Sequence, residues 1–142
     1  MNRKFLAILL IAAMLFVIMG SAQAESGVTK ITIRGVDFNL PDEFEESDFS
    51  IKDDFDEDSN STTDIMIYSS DDCTISITVI EFDDDVDDSI ISDWGEKTTI
   101  KGITGYLNQT DDGSYDFSYV KDNHSVSING PDKEFIEGLI IE

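Results

Sequence analysis

The stretch 99-TIKGITGYLNQTDDGSYDFSYVKDNHSVSINGPDKEFIEGLIIE-142 decides the fold. Three β-rich runs, Ile103 to Gln109, Ser114 to Lys121 and His124 to Asn129, are parted by polar turn residues. In the middle run Tyr115, Phe117 and Tyr119 fall on one face and Asp116, Ser118 and Val120 on the other, the alternation of a half-buried strand. Thr110 to Gly113 supplies a turn with a glycine for positive φ, and Asp122-Asn123 a second, tighter one. Two successive hairpins make a meander. After Gly130 the apolar period lengthens to that of a helix, with Phe135, Ile136, Leu139 and Ile140 on one stripe. Pro131 suits a first helical position, and Asp132 and Glu134 set acids against the positive helix end. A helix of about three turns is unstable alone in water, so it is expected to lie on the sheet.

Working outward, Gly27 to Leu40 reads as a hairpin: Ile31 and Ile33 alternate, Gly35 permits the turn, Val36, Phe38 and Leu40 alternate again, and Pro41 stops the strand. Phe44, Phe49, Ile51 and Phe55 mark a short strand or loop expected to dip into the core. Asp64 to Ser69 and Cys73 to Phe82 form another hairpin, with Ile75, Ile77 and Val79 sharing one face and Ile80 and Phe82 the other. Asp83 to Asp88 precedes an apolar pattern at Val86, Ile90 and Trp94, which reads as a short helix stopped by Gly95.

Residues 1–24 are a different kind of text. Arg3 and Lys4 precede an unbroken apolar run from Phe5 to Met19, and Ala22-Gln23-Ala24 fits the small-x-small cleavage rule. This predicts a signal peptide cleaved after Ala24. The run is shorter than the roughly 20 residues of a spanning helix, and an uncleaved N-terminal membrane anchor is the alternative. Residues 25–142 then form a single acidic domain, holding all 31 acids, seven of the nine basic residues and a net charge of −24. They contain no alanine and 16 isoleucines, which favours sheet over helix bundle. The expected class is α+β: a predominantly antiparallel sheet of about six or seven strands, a C-terminal helix on one face and one short internal helix.

Charge of this size opposes nucleic acid and anionic lipid and favours cationic partners. The expectation is a secreted or cell-surface protein, an extracytoplasmic or cell-envelope binding module taking a cationic or envelope partner, with no stable membrane insertion once the leader is removed. The alternative is a small extracellular hydrolase acting on envelope material. No catalytic motif supports it. Cys73, the sole cysteine, can form no intrachain disulfide, and Asp71 and Asp72 beside it disfavour a thiolate. His124, the sole histidine, is expected at an exposed turn, without a nucleophile or orienting group assigned to it.

Asp54, Asp56, Asp58 and Asn60 recur at every second position, as oxygen ligands do in a calcium loop. Ser59 stands where that loop needs glycine and Ile65 where it needs a bidentate Glu, so the segment is a weak calcium candidate and otherwise a solvated acidic loop. No other cofactor is indicated. Asn60, Asn108 and Asn123 each open an N-glycosylation sequon in or beside an expected loop.

The order of the leader, Ile31-Thr-Ile-Arg-Gly-Val-Asp-Phe-Asn-Leu-Pro41, Gly102-Ile-Thr-Gly-Tyr106 and the run from Phe117 to Ile140 resembles small exported proteins of methane-producing archaea. The resemblance carries no functional residues. It implies an anaerobic exterior, consistent with a lone Cys73.

Overall fold

The computed structural model of the protein describes residues 27–141, so the expected leader and its cleavage point after Ala24 lie outside the described residues. The chain runs β1 (Val28–Ile33), β2 (Val36–Pro41), β3 (Glu45–Glu46), β4 (Ile51–Asp56), β5 (Ser61–Ser69), β6 (Thr74–Phe82), a 3₁₀ turn (Asp88–Ile90), β7 (Glu96–Ile100), β8 (Ile103–Gln109), β9 (Tyr115–Lys121), β10 (His124–Gly130) and α1 (Lys133–Leu139). This is the α+β architecture with a dominant antiparallel sheet. Eight strands form that sheet in the order β3-β5-β6-β10-β9-β8-β7, with β4 also paired to β5. The β1–β2 hairpin stands apart as a two-stranded sheet.

The meander β8–β9–β10 lies where the alternation places it. Tyr119 pairs with Val126 and Phe117 with Ile128, and β10 continues onto β6 through Val126–Val79 and Ile128–Ile77. These partners share one face, and Phe117, Ile77, Val79, Val126 and Ile128 are fully buried. Two elements cover them. One is α1, through Ile136 and Leu139, and the other is the β1–β2 hairpin, through Ile33, Val36, Phe38 and Leu40. Phe38 also bridges Ile140, so the chain leaving the helix is tied to β2.

Three local expectations are corrected. Pro131 precedes the helix rather than opening it: Asp132 is the N-cap, accepting from the Phe135 N–H at 2.8 Å, and α1 has seven residues instead of three turns. Between Val86 and Trp94 the expected helix contracts to one 3₁₀ turn capped by Asp87, and the fully buried side chain is Ile91, while Ile90 and Trp94 are exposed. This segment has to carry the chain from β6 across to the far edge strand β7, a distance that extended backbone spans more readily than helix. Of the four apolar residues expected to dip inward near the acidic stretch, only Phe44 does; Phe49, Ile51 and Phe55 are exposed on or beside the edge strand β4. On β5 the inward face carries Met66 and Tyr68, which pair with Ile77 and Ile75, while Ile65 and Ile67 share the opposite face.

The hairpin β1–β2 closes through Arg34 (φ 46°) and Gly35 (φ 86°), both left-handed, as a two-residue turn matched to strand twist requires. Lys101 (φ 53°) and Gly102 (φ 81°) repeat this between β7 and β8. The Lys101 Nζ then donates to the Ile140 carbonyl at 2.9 Å, fastening the sheet edge to the end of the helix.

Candidate functional site

The acidic stretch that resembled a calcium loop is a strand and a turn. Asp54 and Asp56 belong to β4, where the pairing with β5 slips between Ile51 and Asp54 and Asp53 adopts φ 58°. Asp58 and Asn60 lie in the following turn. Asp56 is occupied locally, its Oδ1 accepting from the Asp58 N–H at 3.1 Å and its Oδ2 from the Ser59 hydroxyl at 2.9 Å. The Asn60 side chain donates its Nδ2 to Asp83 Oδ2 at 2.6 Å, which links the two acidic segments of the sequence. Among the described residues no group of three or more acidic, histidine or cysteine side chains converges as a metal site.

Above this turn the face of the sheet turned away from the core is open. A concavity of about 560 Å³ there is lined by Asp54, Asp56, Phe55, Phe82, Thr63 and Ile80 among others. Asp54 pairs with Thr63, and Thr63 with Ile80, so one row of the sheet forms its floor. Asp54, Asp56, Ser61, Thr63, Ile80 and Phe82 share this face of the sheet, whereas Phe55, 57 % exposed, alternates to the other face of β4. Two carboxylates and one aromatic ring, that of Phe82, therefore meet at one concave surface. The acids were legible in the sequence. Their meeting with Phe82 was not, because it depends on the pairing of β4 with β5 and of β5 with β6.

A second constellation went unforeseen. Arg34, at the tip of the β1–β2 turn, reaches into the end of the main sheet: Nη1 donates to Asp53 Oδ1 at 2.9 Å and Asp64 Oδ1 at 3.0 Å, and Nε to Glu81 Oε1 at 3.1 Å. These bonds raise the pKa of Arg34, with Asp53 the largest influence and Asp64 and Glu81 adding to it against the opposing effect of burial. Asp64 also accepts from the Asp53 N–H at 2.8 Å, so the slipped stretch of β4 is held in place by the same carboxylate. The signal available in the sequence was a single arginine before glycine in a strongly acidic chain.

His124 opens β10 and is half-buried rather than exposed; its Nε2 has no hydrogen-bond partner and lies 3.9 Å from Glu81 Oε2. No nucleophile bonds to it. Cys73 is half-buried against the core at the β5–β6 turn. Of the sequon asparagines, Asn60 and Asn108 are exposed, whereas Asn123 donates its side-chain amide to the Phe82 carbonyl at 2.7 Å. No helix of the described residues is long and apolar enough to cross a membrane.

Comparison with protein-family models, curated proteins and solved structures finds no match to this chain.

Proposed function

We propose that the protein is an exported, extracytoplasmic or cell-envelope binding module whose partner is cationic, and that the partner's ammonium group docks in the concavity beside β4. The observation that carries this reading is the juxtaposition of Asp54 and Asp56 with the ring of Phe82 and the side chain of Ile80 on one face of the sheet. Carboxylates attract an ammonium group through space, and an aromatic face attracts it through the ring quadrupole, by about 0.5–2 kcal/mol. A hydrated metal ion would use the carboxylates alone. An alkylammonium also uses the apolar wall, so polyamines and lysine-bearing chains fit this lining better than a bare ion. The remaining acids supply a long-range field that concentrates cations near the surface.

Titration calorimetry with spermidine tests the reading. Saturable binding that weakens as salt rises is expected. Asp54→Asn with Asp56→Asn should lower affinity about tenfold, equivalent to about 1.4 kcal/mol. Asparagine at position 56 keeps one of the two acceptor oxygens of the turn, so an unchanged far-ultraviolet spectrum and thermal midpoint of the double variant accompany the titration. Unaltered affinity in the double variant would remove the concavity from the proposal.

A further inference from the structure

The same face of the sheet, partly covered by the segment before β7, carries a second feature, remote in character from the acidic concavity. Strands β6, β10 and β9 are adjacent and in register, and the residues on this face form two rows: Ser76, Asn129 and Asp116, then Thr78, Ser127 and Ser118, the last of them buried. All six side chains are hydroxyl, amide or carboxylate, and none is basic. Neighbouring strands lie about 4.8 Å apart and alternate residues about 6.7 Å, so the rows cover about 10 by 7 Å. Trp94 closes one side, leaving a groove of about 370 Å³.

A polar outer face is ordinary for an antiparallel sheet. What is not ordinary is the tryptophan. Trp94 is 48 % exposed although its segment crosses the sheet and buries Ile91 completely. The backbone that carries the ring is held in place. The Trp94 backbone N–H donates to the Ile91 carbonyl at 2.9 Å, and Tyr106 Oη donates to Asp88 Oδ2 at 3.3 Å, pinning the preceding turn. At Gly95 a Cβ would lie 2.4 Å from the Leu107 carbonyl oxygen, so only glycine lets the chain lie this close to β8. A half-uncovered indole on a segment held in this way needs less backbone ordering when a ligand binds.

The floor is ordered too. Ser118 and Ser127 hydroxyls are 2.7 Å apart, and Asn129 Nδ2 donates to Asp116 Oδ1 at 2.7 Å. The hydroxyls of Ser76 and Thr78 and the indole N–H enter neither bond. We infer that this groove binds a neutral saccharide, one pyranose ring stacking its C–H face on Trp94 while its hydroxyls bond to the accessible members of the two rows, Ser76, Thr78 and Asp116 foremost. The area matches a disaccharide segment. Asp116 and the net negative charge exclude uronic or sulfated chains, and the hydroxyl-rich floor disfavours a purely apolar ligand. This site does not depend on the cationic reading.

Trp94 is the only tryptophan in the chain, so its fluorescence reports on the groove alone. The probes are cellotriose, tri-N-acetylchitotriose and mannotriose, all uncharged, each titrated to about ten times a millimolar Kd. At least one is expected to produce a saturable emission change. By calorimetry, Trp94→Ala should weaken that sugar at least tenfold, Trp94→Phe should retain part of the affinity, and Ser76→Leu, which fills the floor, should abolish binding with the indole intact. Spermidine binding should be unchanged in Trp94→Ala. No saturable emission change with any of the three sugars, or equal affinity in Trp94→Ala, overturns the inference.

Discussion

Arg34 and Asp64 meet at 3.0 Å between elements that share no backbone pairing: the tip of the β1–β2 hairpin and β5 of the main sheet. Both side chains are largely shielded, at 19 % and 13 % exposure, and Glu81 and Asp53 complete the ring around the guanidinium. One cation thus neutralises carboxylates that would repel one another at the mouth of the core.

Arg34→Met keeps the length of the stem and leaves Asp64 and Glu81 without their counter-charge. Both residues are equally strained at φ 46°, so the change isolates the ionic contribution. Exposed pairs contribute about 0–1 kcal/mol and broken buried ones cost about 3–5 kcal/mol. This intermediate burial sets the expected loss near 2 kcal/mol, read from the urea midpoint at constant slope. Arg34→Lys should recover only part of it, because an ammonium cannot present the guanidinium fork. Equal midpoints for Arg34→Met and the parent would mean that the ring adds nothing to stability.

Two glycines should respond to alanine with opposite signs. At Gly105 a Cβ would sit 2.2 Å from the Ser118 carbonyl oxygen and 2.9 Å from Phe117 Cζ, backbone and core ring that cannot both retreat. Gly105→Ala is expected to cost about 1–3 kcal/mol or more. Gly138 lies on the exposed side of α1 with nothing within 4 Å of its Cβ position. Gly138→Ala should stabilise by about 0.4–1 kcal/mol by restricting the unfolded chain. Thermal unfolding of the two variants side by side checks both signs.

The meander and its faces were readable because period-two alternation at Tyr115, Phe117 and Tyr119 has one physical cause, burial on a single side. The hairpin turn at Gly35 was readable for a similar reason, since few residues accept positive φ. Phe49, Ile51 and Phe55 misled because hydrophobicity alone reports a tendency to be buried, whereas exposure here follows from β4 being an edge strand, a fact of topology. Ile90 and Trp94 fit a helical spacing, yet the crossing to β7 governs that segment. The Arg34 ring joins residues 19, 30 and 47 positions apart, and no local pattern encodes such a meeting. The same holds for the rows under Trp94, which exist only once β6, β10 and β9 are adjacent.

The closing helix should behave as part of the core. Leu139 is buried almost completely, so Leu139→Ala is expected to cost about 2–5 kcal/mol. Phe135 is half-buried and meets Phe44 edge-on, with ring centroids 5.5 Å apart and planes at 65°. A double-mutant cycle of Phe44→Leu and Phe135→Leu should return a coupling of about 0.5–1.5 kcal/mol. Strict additivity would show that the two rings are neighbours without interaction.

Titration should separate the exposed loop from the core. Asp112 is held down to about 2, first by the Thr110 hydroxyl and then by the Ser114 N–H and hydroxyl, against an ordinary value of 3.8. Its folded pKa is lowered, so its contribution is present above about pH 4 and is lost as pH falls through about 2. Carboxyl NMR shifts of the parent and Thr110→Val follow this directly, the variant titrating closer to the ordinary value. Tyr68 behaves in the opposite sense: burial, aided by Glu46, pushes it up to about 12, and burial alone raises Tyr119 further. A raised folded pKa makes the neutral phenol a stabilising form, fully effective below the ordinary 10 and lost as pH rises through about 12. At about pH 11, phenolate absorbance should therefore fall well short of that of the urea-unfolded chain. Tyr68→Phe should delay alkaline unfolding, since the group that must ionise is gone. Coincident ionisation of all four tyrosines near 10, with the far-ultraviolet spectrum still native, would place Tyr68 and Tyr119 in water and contradict the packing of the core face.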